Sequence, residues 1–413
     1  MKTVVVLGGG IAGTAAALSA IRGGARVVVL DGGTGASTLS TGAIDDTPWT
    51  TTRRVPEPVS GTVRAVVDTL AAYALPAAGA RIATTAGVLR AARGHDLALL
   101  DLAPLAGRLV GVIRCDRPEW DAGALARSWG DGFTPLDATV LRHVDERLLP
   151  AADFAARHDD EARLAWLAER LREALSRAGA RFDALIVPSS LGVETERAGA
   201  LSKLVGMRCG EAAASPGGPS GLRFERARDR ALAAAGVERT PGRATRVERH
   251  VDRWRVARAE GPTLEATAVV LALGGLVGGG LAYSPGEAAE ASVLPPASLP
   301  PFRLTVDVPA ARLGARGCPL EIPGSLFGIP PESLAWPFAA DPLMERVGVL
   351  VDADGRAAPG LYAAGETVAD APRTWLRALE SGVRAGSAAA RDAVTSTAER
   401  PSSPSLAGPA SRP

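Results

Sequence analysis

The sequence predicts an α/β fold in which a parallel nucleotide-type sheet is interrupted by a second, inserted α/β unit. Three observations carry this: a strand–glycine turn–helix–strand pattern at the start of the chain, a long middle stretch in which strands alternate with helices, and two later strands that each run into glycine. The opening segment 3–31, TVVVLGGGIAGTAAALSAIRGGARVVVLD, begins with the β-branched run Val4–Leu7. Gly8, Gly10 and Gly13 then fall at the positions of G-x-G-x-x-G, a helix is expected over 11–21, and a second strand ends in Asp31. Gly8 permits the tight turn, Gly10 lets the backbone approach a pyrophosphate, and Gly13 lets the helix pack on its strand. The first helical residues, Ile11 and Ala12, present free N–H groups where the macrodipole favours an anion. Asp31 follows at close to the roughly 20-residue spacing of an acid that accepts the hydroxyls of an adenosine ribose. The opening is therefore a Rossmann-like dinucleotide-binding unit.

The elements that follow are read in order. Gly32–Asp46 is small, polar and glycine-rich, and reads as a functional loop in which Ser40, Thr41 and Gly42 are candidate ligand contacts. The stretch 58–239 is expected to be the inserted α/β domain. Its expected elements are a strand at 109–115, an amphipathic helix at 162–178, a buried strand at 184–187 and a helix at 195–205. The nucleotide domain is expected to be discontinuous, made of 1–57, 240–284 and 345–396. A hairpin at 245–256 leads to the apolar strand 266–273, which stops at Gly274 and Gly275, where a missing Cβ admits a close approach. Residues 285–344 read as a proline-rich extension of the insert. The strand 360–364 stops at Gly365 and Glu366, ahead of a helix over 373–394 whose free N–H groups point back to that strand end. Residues 397–413 are expected to be a disordered tail.

Composition excludes several classes of function. Of 413 residues, 46 are Lys or Arg and 45 are Asp or Glu, so no net field recruits a nucleic acid or an anionic membrane. Nearly all the positive charge is arginine, with lysine only at Lys2 and Lys203, a bias that reflects a GC-rich genome more than a function. Cys115, Cys209 and Cys318 are too few and too scattered for a disulfide framework, a zinc site or an iron–sulfur cluster, so no metal is expected and a reducing, cytoplasmic compartment is. The apolar start resembles a signal peptide only superficially, because Gly8–Gly10 interrupts it, and no run reaches the roughly 18 apolar residues of a membrane span. Any membrane association is expected to pass through a partner. His95, His143, His158 and His250 fall in charged stretches and are expected at the surface. Arg373 and Arg377 are candidates for an anionic substrate, although arginines early in a helix are ordinarily solvated. No catalytic residue is assigned, since a general base needs a substrate within hydrogen-bond reach and no motif supplies one.

Three pieces together, LGGGIAG with Asp31, AVVLALGG at 268–275 and GLYAAGE at 360–366, resemble the FAD-dependent flavoproteins of the fumarate reductase and succinate dehydrogenase superfamily. That resemblance implies a Rossmann-like FAD-binding domain with an inserted α/β domain. It also implies Glu366 at the ribityl or phosphate region and the last helix facing the flavin pyrimidine. Within the superfamily, STLSTGAID at 37–45, DALIVPSSLG at 183–192, GGPSGLR at 217–223 and LALGGLVGGGL at 271–281 resemble the B-subunit family of anaerobic glycerol-3-phosphate dehydrogenases. The family implies a flavoprotein that works beside a larger catalytic A subunit, with an iron–sulfur C subunit passing electrons to membrane quinone. Family members are usually described with FMN, whereas the fingerprint and Asp31 of this chain favour FAD. The chain departs from the family at DAPRTWLRALESG, where Arg373 and Trp375 replace a glycine-rich stretch. Two alternatives stand beside this reading: a stand-alone FAD-dependent reductase or dehydrogenase of a small carboxylate, and a non-catalytic scaffold with a flavoprotein fold.

Overall fold

The computed structural model describes residues 2–45, 59–214, 216–283, 302–314 and 347–395. Three apolar runs form the centre of the molecule. Strands β1 (Thr3–Leu7) and β2 (Arg26–Asp31) are joined by helix α1 (Ile11–Arg22) and pair in parallel. Helix α2 is Gly61–Leu70. The middle of the chain supplies β3 (Val110–Ile113), α3 (Ala122–Trp129), β4 (Phe133–Leu136), α4 (Glu161–Arg177), β5 (Ala184–Val187), α5 (Ala198–Val205) and β6 (Arg208–Glu211). After them come α6 (Pro219–Ala234), β7 (Glu238–Pro241) and the antiparallel meander β8 (Ala244–His250), β9 (Arg253–Arg258) and β10 (Leu264–Ala266). The last elements are β11 (Ala268–Leu271), β12 (Arg356–Ala358), β13 (Leu361–Ala363) and α7 (Trp375–Thr395).

The main sheet is six-stranded in the order β7-β2-β1-β11-β13-β12, parallel except for the β12–β13 edge. A parallel sheet covered on both faces needs strands that are apolar throughout, which is why VVVL, VVVL and AVVL recur. Strand alternation sorts the faces: Val4 and Val6 face the helices, while Val5 and Leu7 face the meander through Val247, Trp254 and Val256. Helices α1 and α7 lie nearly backbone to backbone, because a Cβ on Gly382 or Gly386 would overlap the carbonyl oxygens of Ala12 and Ala16. The alanines Ala12, Ala15, Ala16, Ala385 and Ala389 fill the seam between them.

The insert has its own four-stranded parallel sheet, ordered β6-β5-β3-β4, with α4 and α5 packed on one face and α3 on the other. The chain divides differently in space from the boundaries expected at 58 and 239. Val63, Val66, Val67 and Leu70 of α2, and Phe224, Ala227, Ala231 and Leu232 of α6, are buried in the core of the nucleotide sheet, and β7 pairs with β2. Amphipathic helices show that they are half-buried without showing what buries them, and α2 and α6 turn inward on the first sheet. The expected proline-rich extension and the tail lie largely outside the described residues, as does Cys318.

One buried arginine joins the two units. Arg223, in the first turns of α6, donates from Nε to Asp96 Oδ2 at 2.7 Å, from Nη2 to Glu211 Oε2 at 2.7 Å and from Nη1 to the Gly192 carbonyl at 2.7 Å. All three side chains are at most 2% exposed. Burial works against the guanidinium charge, and the two carboxylates more than offset it. Glu211 also accepts the backbone N–H groups of Ser190 and Leu191, and Asp96 that of Ala98. The segments 183–192 and 217–223 therefore meet at this junction.

Two of the four histidines contradict the surface expectation. His95 sits in the short strand Gly94–Asp96, and His158 is 0% exposed against Phe154, while His143 and His250 are exposed. Charged neighbours in the sequence misled the reading, because Glu146 and Arg163 beside His158 are themselves buried as an ion pair at 2.8 Å. Burial, helped by Arg163, lowers the His158 pKa to about 4. A folded-state pKa below the unfolded value of about 6.5 means that the unfolded chain binds the extra proton, so stability is complete above pH 6.5 and falls as pH drops toward 4. Between pH 7 and 5 this histidine is expected to remove about 2 kcal/mol. Urea unfolding of wild type and His158→Gln at both pH values measures it: the variant should lose less on acidification, and equal losses would refute the assignment.

Candidate functional site

The carboxyl ends of β1, β2, β11 and β13 open on one side of the sheet and line a cleft of about 680 Å³, within the range of small-molecule and cofactor sites. Its floor is the glycine turn. Gly8 has φ +113°, which only glycine adopts without strain, and a Cβ on it would overlap the Ala272 carbonyl oxygen. Gly13 faces the Gly8 carbonyl just as closely, which fixes α1 against the turn, so Gly13 supports the cleft from beneath rather than lining it. Gly10, Ile11 and Ala12 line it directly at the start of α1. A Cβ on Gly10 would have only Ser37 Oγ nearby, at 3.2 Å, so the space above it belongs to the cleft. The Ile11 N–H donates to Ser37 Oγ at 3.0 Å.

Asp31 lines the cleft at the end of β2. Its Oδ1 accepts the Gly33 N–H at 3.2 Å, and its Oδ2 accepts from Arg239 Nη2 at 2.7 Å. The carboxylate also lies over Gly9: a Cβ on that residue would stand 2.6 Å from Oδ2. At the other strand ends, Gly274, Gly365 and Glu366 line the cleft. The Gly365 N–H donates to Ser381 Oγ at 2.8 Å, and Thr367 Oγ1 donates to the Gly274 carbonyl at 3.2 Å, which ties β13 to β11. Gly275 packs beneath the Glu366 and Arg373 side chains without lining the cleft.

The loop 37–45 brings Ser40 and Thr41 to the wall, while Gly42 turns away to pack on Ser220 and Asp96. Beyond the loop, the cleft ends at an Asp45–Arg90 ion pair, Arg373, Thr374 and Trp375. Thr374 Oγ1 and the Trp375 indole N–H are buried without a hydrogen-bond partner, and the indole leans on Tyr73 with ring centroids 4.9 Å apart. Two unused polar atoms on residues that line the cleft fit a ligand that brings its own acceptors and donors. Of the two candidate arginines, Arg373 reaches the cleft and Arg377 instead pairs with Glu380 at 2.8 Å. None of the four histidines lines it. Burial pushes the Cys115 and Cys209 thiols up to about 12, which keeps them protonated and unreactive. Sequence reading missed Gly9, Ser37, Arg90, Arg239 and Arg243. Gly9 and Ser37 sit inside segments already singled out, but the three arginines belong to no motif.

Residues 3–94 match a family model described as the FAD binding domain. No curated protein matches the chain. Similar solved structures include Lactococcus lactis thioredoxin reductase, 11% identical over 95% of this chain and 99% of that one, with a TM-score of 0.30. The 3-ketosteroid delta1-dehydrogenase from Sterolibacterium denitrificans is 13% identical over 95% and 100%, at 0.35, and Mycobacterium smegmatis Sdh1 is 14% identical over 97% and 69%, at 0.34. The family match assigns the cofactor: the Rossmann-like unit binds FAD.

Because the protein itself leaves room for a Cβ at Gly10, Gly10→Val should cost about 1 kcal/mol of stability, through a poorer helix cap, yet abolish FAD binding. Gly9→Ala must displace the Asp31 carboxylate, and is expected to weaken FAD about ten- to a hundredfold. Titration of apo-protein with FAD, beside thermal melts, checks both; unchanged affinity in Gly10→Val would refute the placement.

Proposed function

We propose that this chain is the flavoprotein subunit of a glycerol-3-phosphate:quinone oxidoreductase-type dehydrogenase that passes electrons from substrate oxidation toward the quinone pool. One observation carries the reading: of the segments that resemble the B-subunit family, 37–45 and 271–281 line the cleft, while 217–223 packs on the 37–45 loop and holds 183–192 through Arg223. Ser37–Asp45 forms its wall, a Cβ on Gly221 would overlap the Thr38 carbonyl on the wall's outer side, Arg223 locks Gly192 beneath, and 271–281 closes over the strand ends.

FAD supplies hydride acceptance when bound. The chain's own residues bind and orient it. The α1 N–H groups and Ser37 suit the pyrophosphate, and Asp31 suits the adenosine ribose. Glu366 suits the ribityl chain, and the start of α7, with Thr374 and Trp375, suits the ring. At the same end of the cleft Arg90 is paired with Asp45, and Arg373 and Glu366 lie together against Gly275, so carboxylates offset the guanidinium groups there. Among the described residues no helix is long and apolar enough to cross a membrane. Nor does any cluster of His, Cys, Asp and Glu there suit a metal ion. An electron path to quinone then calls for an A-like catalytic flavoprotein and a cysteine-rich, C-like iron–sulfur subunit, with this chain cytoplasmic and held near the membrane by them.

The bulky Arg373–Trp375 segment favours a second reading, a scaffold that keeps the fold without turnover. Protein purified from its native cells through a C-terminal tag should carry about one FAD per chain and bring both partners with it. Alone it should show little glycerol-3-phosphate:dye activity. Released FMN without FAD would refute the dinucleotide assignment. Full turnover by the isolated chain would replace the complex with a stand-alone dehydrogenase, and a flavin-free chain in an intact complex would establish the scaffold.

A further inference from the structure

The Asp31 carboxylate is held by groups that arrive from far along the chain. Arg239 Nη2 donates to its Oδ2 at 2.7 Å, and Arg228 Nη1 lies 3.8 Å from the same oxygen. Both arginines are fixed in turn by Asp229, whose Oδ1 is 2.7 Å from Arg228 Nε and 2.9 Å from Arg239 Nη1. Arg228 Nη1 also donates to the Gly9 carbonyl at 3.0 Å, so one pair of arginines grips the acid and the glycine turn together. The Asp31 side chain is 12% exposed, enough to face the cleft and little enough to limit screening of the pair by water.

A carboxylate offers about four acceptor directions. The backbone of Gly33 uses one on Oδ1 and Arg239 uses one on Oδ2, so each oxygen keeps a direction for a hydroxyl. That pattern suits a vicinal diol, whose two O–H groups come from adjacent carbons. We propose that Arg239 is a positioning residue for the dinucleotide: it holds Asp31 in the rotamer that receives the two ribose hydroxyls, and so makes the chain prefer FAD to FMN. The inference rests on Asp31 facing the adenosine ribose. Without Arg239 the Oδ2 oxygen loses its 2.7 Å donor and keeps only Arg228, which is 3.8 Å away and already donates to the Gly9 carbonyl, so the carboxylate is no longer held in that rotamer. Arg239 does not line the cleft and acts wholly through Asp31.

The test is titration of the full apo-chain with FAD and, separately, FMN. Arg239→Ala should weaken FAD about tenfold and change FMN less than about twofold. Arg239→Lys should recover part of the loss, since an ammonium still reaches one carboxylate but cannot bridge both. The double variant Asp31→Ala/Arg239→Ala should bind FAD no worse than Asp31→Ala. If Arg239→Ala fails to fold, Arg239→Gln serves in the same titrations. Equal weakening of FAD and FMN would show a structural role only and overturn the proposal, as would unchanged FAD affinity. The Asp31→Ala control separates the two layers: if it weakens FAD selectively and Arg239→Ala does not, the positioning role alone fails, and if it is unselective, the ribose reading falls with it.

Discussion

The contact on which the rest of the structure depends is Arg223 held between Asp96 and Glu211. A buried charge is costly unless it is paired and its remaining hydrogen-bonding capacity is met, and here every part of the guanidinium fork has an acceptor. The two carboxylates outnumber the one cation, but the N–H groups of Ser190, Leu191 and Ala98 supply the missing positive ends. Loss of one partner of such a pair costs about 3–5 kcal/mol, because the other is left uncompensated. An arrangement of the insert on the nucleotide sheet that left any of these acceptors off the fork would therefore be disfavoured by a similar amount. Asp96 is paired in the strand beside the wall loop, Glu211 ends the last strand of the insert sheet, and Arg223 begins the helix that returns the chain to the first sheet.

From that junction the constraint runs along α6. Arg223 fixes the start of the helix, and Arg228 and Asp229 lie further along it, where they meet the Gly9 carbonyl and Arg239. The position of the acid at the end of β2 is thus referred to the insert through a single helix. On the opposite side the cleft is braced by backbone contact, with α7 lying against α1 through Gly382 and Gly386. Neither brace leaves slack. The glycine turn sits between two helices whose separations are set by hydrogen bonds or by the absence of Cβ atoms, as a site that must present backbone N–H groups at fixed positions requires.

Local pattern and tertiary pairing left very different traces in the sequence. The opening strand–turn–helix–strand was legible because fully buried parallel strands and a glycine turn write themselves into consecutive residues, and 184–187 was legible for the same reason. The ends of β11 and β13 were found from the glycines that follow them. Domain membership of α2 and α6 was not legible, since an amphipathic pattern records a buried stripe without its partner. The histidines failed for a related reason: charged neighbours were read as solvent, although Glu146 and Arg163 are buried against each other. Arg239 meets Asp31 across 208 positions, and no local signal reports such a pairing.

The arginine bias of the composition also takes on a structural meaning. Read from composition, it reflects a base preference of the genome and carries no function. In the fold, Arg223 serves three backbone or carboxylate acceptors in different directions, and Arg117 donates to Glu119 and to the carbonyls of Glu146 and Leu149. A lysine ammonium is a single point on a flexible stem and cannot span acceptors set apart in this way. Whatever first enriched the chain in arginine, the buried junctions have come to need the planar fork, so Arg and Lys are not interchangeable at 117 or 223. The exposed arginines, such as Arg246 between Glu248 and Asp307, carry no such requirement, because an exposed pair in water contributes little whichever cation supplies it. The same residue type is therefore a matter of composition at the surface and of architecture in the core, and only burial and the number of acceptors tell the two apart.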